Sequence, residues 1–381
     1  MLVSQRWRSA ALSFPSLWSV VYLSSELSPQ IIRVLLQRSG EHPLDVIVPL
    51  EYPESASKFN RYSHAQDASS HVSRIREFIF YPHEDGNDMK HIVRIFSNPA
   101  PNLTHLDLAA LLRRGESVSF PDLFGLEVPQ LRELEVTGIE EWPEIIGANL
   151  THITINASLN PVSLKRCIRY SPNLKDLKIL GIWDFNKPDL RTWQRITLPP
   201  GVRLSIQHTS ICSYLLALFA IPRDGHIQVK PSLSSVPKEP LLFYVLPTEI
   251  SHLQNLRTLT RLHMKTRLDT RVTLELRCFR SNRPAFEVDV GYPFESRTMV
   301  QQKASPVMWF LGNLHRIVLR GVEELRVDGF VGRLEPQAAE LITFLKRMLA
   351  LTRVITTDGN EGIFRSALDS LGCRAVVVST E

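Results

Sequence analysis

Apolar residues recur along this chain in a short phrase: a leucine, two polar residues, an apolar residue, one polar and one apolar. It reads Leu103-Thr-His-Leu-Asp-Leu108, Leu131-Arg-Glu-Leu-Glu-Val136, Leu150-Thr-His-Ile-Thr-Ile155 and Leu174-Lys-Asp-Leu-Lys-Ile179. Each phrase ends in strict alternation, which predicts a strand with one buried face. Ile75-Arg-Glu-Phe-Ile-Phe80 predicts an earlier strand, starting 28 residues before Leu103. Between the strands, period 3.6 returns. Residues 88–97, with Ile92, Val93 and Phe96, and residues 160–168, with Leu164, Cys167 and Ile168, predict helices.

The remaining elements follow in chain order. Residues 28–40 predict a helix: Ser28 to cap it, Pro29 at its first position, Ile31, Ile32, Leu35 and Leu36 as an apolar stripe, and Gly40 at the exit. Residues 43–48 predict a strand, and the serine-rich residues 51–72 a loop or weak helix. Residues 202–206 predict a degenerate strand and 210–220 a helix. Five prolines in 222–250 predict an irregular repeat or crossing loop. Leu259-Thr-Arg-Leu-His-Met264 restores the phrase, whereas 272–276 and 286–290 alternate as strands without repeat spacing. The phrases beginning at Leu314 and Val322 are read as one bent strand pair or two shortened repeats. A helix opened by Pro336, strands near 351–355 and 375–378, and a helix near 361–371 stopped by Gly372 close the chain.

The leucines at 103, 131, 150 and 174 are 19 to 28 residues apart, which matches the period of leucine-rich repeats. Such a unit cannot bury its apolar edge alone, so several stack on a shared core. The predicted fold is therefore α/β: an irregular leucine-rich-repeat solenoid over residues 73–381, a parallel sheet with outer helices. Alternation sends the residues between the buried ones to the concave sheet face, where solenoids bind. That face is predicted to carry Glu77, Ile79 and Tyr81, then His105 and Asp107, then Glu133 and Glu135. His152, Thr154 and Asn156 follow, then Asp176 and Lys178, and later Arg261, His263 and Lys265.

At the N-terminus, Val3, Trp7 and Ala10 or Ala11 recur at helical spacing, and Pro15 breaks the helix before Leu17-Trp18. By periodicity alone this is an ordinary amphipathic opening helix. The segment also resembles the second half of an F-box from the F-box and leucine-rich-repeat families of mushroom-forming fungi. The matching residues are Val3, Trp7-Arg8, Ala11-Leu12-Ser13, Pro15 and Leu17-Trp18-Ser19. The helix, Ser-Gly-x-x-Pro-Leu-x-Val link at 39–46 and the order of elements after residue 322 are similar to the same family, with the weakest likeness between about 222 and 310. The resemblance implies an F-box remnant over 1–27, a linker over 28–72, and contact of Val3, Trp7, Pro15, Leu17 and Trp18 with a Skp-family adaptor and its cullin complex. The Leu-Pro-x-Glu-Ile-Leu helix that opens an F-box does not precede Met1, so either the gene model is truncated or adaptor binding is lost. The implied function is a non-catalytic substrate receptor of an SCF-type ubiquitin ligase, in the cytoplasm or nucleus. The alternative is a repeat scaffold with no ligase link.

Composition narrows the chemistry. The chain has 381 residues, a 44% hydrophobic and 22% charged composition, and a formal charge of +5. Four scattered cysteines make neither a disulfide framework nor a zinc site, and fit a reducing compartment. Asn102-Leu-Thr, Asn149-Leu-Thr and Asn156-Ala-Ser are formal glycosylation sequons, but two of them sit at one place in the repeat and are read as repeat grammar. The longest apolar stretch, 214–221, is too short for a membrane helix, and Ser13, Pro15 and Ser16 break the N-terminal run before it becomes a signal peptide. No phosphate loop, nucleophile elbow or metal motif occurs, so no enzyme activity, metal or cofactor is expected; a hydrolase would require a Ser/His/Asp cluster formed by the fold. Residues 251–284 hold eight Lys or Arg against Asp269 and Glu275. That stretch is expected to dock an acidic or phosphorylated segment, with nucleic acid the weaker reading because Phe279 alone interrupts the bases.

Overall fold

The computed structural model describes residues 4–24, 26–49, 58–81, 91, 93–109, 123–139, 149–156, 161–181, 194–207, 211–231, 245–247, 249–268, 271–293, 317, 319–329, 338–356 and 359–379. The fold is α/β with mostly parallel strand pairing. The chain divides into two compact units: residues 1–175 with 183–185, and residues 176–182 with 186–381.

The first unit opens with α1 (Gln5–Leu12), a 3-10 turn (Pro15–Trp18) and β1 (Val20–Tyr22). It continues through α2 (Pro29–Arg38), β2 (Leu44–Val48), α3 (Lys58–Ser69), β3 (Ile75–Phe80), β4 (His105–Ala109), β5 (Glu133–Thr137) and β6 (His152–Asn156), and ends with α4 (Pro161–Arg169). Each of β1 to β5 pairs in parallel with the next, up to β6. The phrase explains why. In β4, Leu106 and Leu108 are buried, as are Leu134 and Val136 in β5 and Ile153 and Ile155 in β6, so one face of every strand leaves water. The phrase's first leucine is buried as well, at 103, 131 and 150, and the amides of Leu103 and Leu131 close the turn before their strands.

Its threonine also has a structural reason. Thr104 Oγ1 donates to the Arg76 carbonyl at 3.1 Å and Thr151 Oγ1 to the Arg132 carbonyl at 3.2 Å. Each hydroxyl thus adds a second bond to a carbonyl of the preceding repeat that already accepts the threonine's own amide. Asn102 Nδ2 donates to the Ser73 carbonyl at 2.7 Å, so two polar groups of the Asn102-Leu-Thr sequon serve as inter-repeat bonds. Behind the sheet, Phe78, Phe96 and Phe124 form an aromatic cluster with centroids 4.8 to 6.3 Å apart.

Two local expectations change. Ser28 stands at the N-cap of α2, but its side chain makes no capping bond; its carbonyl accepts the Ile31 and Ile32 amides. Ile32 and Leu36 are buried, whereas Ile31 is 46% exposed, so the stripe is narrower than four residues. In the serine-rich segment, the described part is the helix α3. Gly40 does take the left-handed exit, with φ +53°.

The second unit contains β7 (Asp176–Leu180), β8 (Ile196–Thr197), β9 (Arg203–Gln207), α5 (Cys212–Leu218), β10 (Phe219–Ala220) and β11 (His226–Lys230). These are followed by β12 (Arg261–Leu268), β13 (Arg271–Arg280), β14 (Arg283–Pro293), β15 (Glu324–Asp328), α6 (Ala338–Leu345), β16 (Arg353–Thr356), α7 (Glu361–Ser370) and β17 (Val376–Ser379). Its main sheet runs β7-β9-β11-β14-β13-β12-β15-β16-β17, and β8 pairs separately with β10.

This sheet corrects the sequence reading at two places. Part of the proline-bearing segment is an ordinary parallel strand, β11, between β9 and β14. The two runs without repeat spacing are arms of an antiparallel hairpin, β13 and β14, and β12 pairs antiparallel with β13, so the pairing is not uniformly parallel. Of the two phrases around 314–327, the second gives β15, and most of the first lies outside the described residues, with Ile317 and Leu319 buried.

Candidate functional site

Two surfaces of the first unit draw on the residues singled out by sequence. The first is the N-terminal segment. Ser4 caps α1 by accepting the Trp7 amide at 3.3 Å, and Pro15 starts the 3-10 turn. Trp18 anchors the segment: its indole Nε1 donates to the Ala11 carbonyl at 2.9 Å, and the Arg38 guanidinium of α2 lies 4.6 Å from its ring centroid. The other large apolar side chains stay in water. Trp7 is 73% exposed, Leu17 64%, Phe14 58% and Leu12 45%, and α1 buries no residue at all. Pro15 is exposed beside them; Val3 lies outside the described residues. Val20 and Tyr22 on β1 and Ile31 and Val34 on α2 extend this exposed apolar set. Such a concentration marks an interaction surface better than singly scattered residues do.

The second is the polar face of β3 to β6. Strand register places Glu77, His105, Glu133 and His152 in one row, an alternation of acid and imidazole. His105 Nδ1 lies 3.1 Å from Glu133 Oε2, and its Nε2 lies 3.9 Å from Glu77 Oε1. Glu77, Thr104, His105, Arg132 and Glu133 line an open hollow of about 530 Å3. The next row holds Ile79, Asp107, Glu135 and Thr154. Tyr81, just past β3, donates its hydroxyl to Asp107 Oδ2 at 2.5 Å. Burial pushes the Asp107 carboxyl above its ordinary pKa, against the opposing pull of Tyr81 and His105. Asn156 lies two positions beyond Thr154, opposite Thr137.

The other sequence-selected residues fall on the second unit's sheet. Asp176 faces Arg203, with Nε–Oδ1 at 3.9 Å, and Lys178 is exposed two positions on. On β12, Arg261 donates to the Ser281 carbonyl and to Asn282 Oδ1, and His263 Nε2 lies 2.8 Å from Asp328 Oδ2. Burial alone would raise the Asp328 pKa, but hydrogen bonds from Arg326 and His263 outweigh it and hold the carboxyl low. Lys265 stands in register between Glu275 and Asp328. Arg277 lies 3.5 Å from Glu275 and 4.0 Å from Glu287, and Lys230 lies 3.6 Å from Asp289. Of the bases counted along residues 251–284, Arg277 thus meets Glu287 on the neighbouring strand, and Lys265 faces Asp328 of β15 in register.

Three of the four cysteines are poorly suited to act as nucleophiles. Burial pushes the Cys167 and Cys212 thiols up to about 12, and Cys278 higher still, far from thiolate character at neutral pH. Among the described residues, no group of three His, Cys, Asp or Glu is placed to hold a metal, and no helix is long and apolar enough to cross a membrane. The sequence matches no protein-family model and shows no significant similarity to a curated protein.

Proposed function

We propose that the chain is a non-catalytic protein-binding receptor of the leucine-rich-repeat type, working inside the cell as the substrate-recognition subunit of an SCF-type ubiquitin ligase. The observation that carries the reading is the split within the N-terminal segment. Trp18 is fastened to the unit, whereas Trp7 and Leu17, from the same F-box-like motif, stand 73% and 64% exposed. Apolar side chains of that size gain free energy when a partner covers them, of order 1.5–3 kcal/mol each. A Skp-family adaptor is the partner that the resemblance implies. The polar sheet faces, with their rows of paired acids, imidazoles and bases, are then the surfaces offered to a target.

The test is co-purification of the full chain with a Skp-family adaptor, comparing the wild type with a Trp7→Ala, Leu17→Ala double variant. Specific binding that the double variant loses supports the receptor reading. A folded chain that does not bind the adaptor is instead a repeat scaffold without a ligase link.

A further inference from the structure

The second unit carries an open hollow of about 520 Å3 at the ends of its strands, lined by Arg223, Asp224, Thr258, Thr260, Arg280 and Ser281. Local structure fixes each wall. The turn before β11 closes with the Gly225 amide on the Pro222 carbonyl at 3.0 Å. A Cβ at Gly225 would come within 2.8 Å of Ile221 Cγ2, so the turn requires glycine there. This places Arg223 and Asp224 on an exposed corner, where among the described residues neither side chain has a hydrogen-bond or ion-pair partner. Arg280, at the end of β13, donates to the Arg223 carbonyl and leaves the rest of its guanidinium fork open. Ser281 occupies the left-handed region at φ +53°, held by its amide on Thr260 Oγ1 at 2.9 Å and by Arg261 on its carbonyl at 3.0 Å. Thr258 Oγ1 is buried with no partner among the described residues.

We propose that this hollow binds the phosphate monoester of a phosphoserine or phosphothreonine on a partner polypeptide. Two guanidinium groups, one unpartnered and one tethered by a single bond, match the bidentate geometry of phosphate oxygens. The exposed Ser281 hydroxyl adds a neutral donor. The hollow is open, so a peptide's flanking residues can leave it on either side of the phosphate, and Asp224 on the rim suits a basic flank. Nucleic acid fits worse: none of the lining residues is aromatic, and the Phe279 ring is covered by the Arg261 guanidinium, 5.2 Å from its centroid. Of the bases along residues 251–284, Arg280 lines the hollow, whereas Arg277 on the sheet face meets Glu275 and Glu287. The assignment is independent of adaptor binding: a chain that captures no Skp-family adaptor still has this hollow.

The experiment passes two heptapeptide mixtures with randomised flanks over the immobilised full chain, one with central phosphoserine and one with central serine. The phosphorylated mixture is expected to be retained at least about tenfold more strongly, the scale of one charge-assisted contact. An Arg223→Ala, Arg280→Ala double variant should lose that preference. Should the double variant melt early, Arg223→Glu alone, which alters an exposed and unpartnered side chain, must still abolish it. Equal retention of both mixtures, or an undiminished preference in Arg223→Glu, overturns the proposal. So does displacement by inorganic phosphate as effectively as by phosphopeptide, or tighter binding of an oligothymidylate.

Discussion

Tyr81 and Asp107 show how one hydrogen bond maintains a charge in an unfavourable place. Asp107 is 7% exposed, and burial raises its pKa more than the Tyr81 hydroxyl and His105 lower it. Its folded pKa therefore lies above its unfolded one, and ionisation works against folding. The resulting stabilisation is fully present below the unfolded value and is lost as pH rises through the folded value. Asp107→Asn keeps an acceptor for Tyr81 and removes the buried charge. It should melt higher than wild type at pH 7, with the difference closing by about pH 3, below the ordinary aspartate range. Tyr81→Phe should cost about 1–3 kcal/mol at pH 7, because it strands a buried carboxylate, and less in acid. Thermal melts of the three proteins across this pH range measure both effects; an Asn variant that melts lower at pH 7 would mean that the charge itself holds the row together. The phrase made it possible to assign Asp107 and His105 to one strand face from sequence. The Tyr81 bond was not legible, because Tyr81 follows the end of β3 and meets Asp107 diagonally, two positions past Ile79, the register partner of Asp107.

At the scale of elements, the antiparallel hairpin is the departure from repeat grammar. Arg280 pairs with Arg283, leaving Ser281-Asn282 as a two-residue turn in which Ser281 alone has positive φ. The first central position of such a turn favours glycine. Relief of left-handed strain exceeds the entropy cost of glycine, so Ser281→Gly should stabilise the chain by about 0.5–1 kcal/mol, read as a higher denaturant midpoint at unchanged m-value. A lower midpoint would show that the serine hydroxyl already stabilises the turn. The hairpin was half visible: both alternating runs were recognisable, and a polar dipeptide lay between them, but their pairing partner was not evident. β11 was hidden for a different reason. Pro222 and Pro231 lie just outside it, where they interrupt no ladder bond, yet their density made the segment read as loop although Ile227 and Val229 alternate and are buried.

For the molecule as a whole, stability and recognition are assigned to different side chains. Strand interiors are built of residues that water never reaches, such as Leu106, Ile153, Leu204 and Val354. The features offered to partners lie outside that set: an apolar N-terminal segment, polar rows on the strand faces and a basic hollow at strand ends. Such a division allows recognition to be removed without unfolding. Trp7→Ala and Leu17→Ala change side chains that are mostly in water, and together should shift stability by no more than about 0.5 kcal/mol. Trp18→Ala breaks the bond to Ala11 and the stacking with Arg38, and should cost about 2 kcal/mol from lost burial alone. Denaturant midpoints of the three single variants, read beside adaptor capture, separate the roles. If Trp7→Ala destabilises as much as Trp18→Ala, its ring is packed in solution, and the N-terminal segment belongs to the fold instead of to a partner.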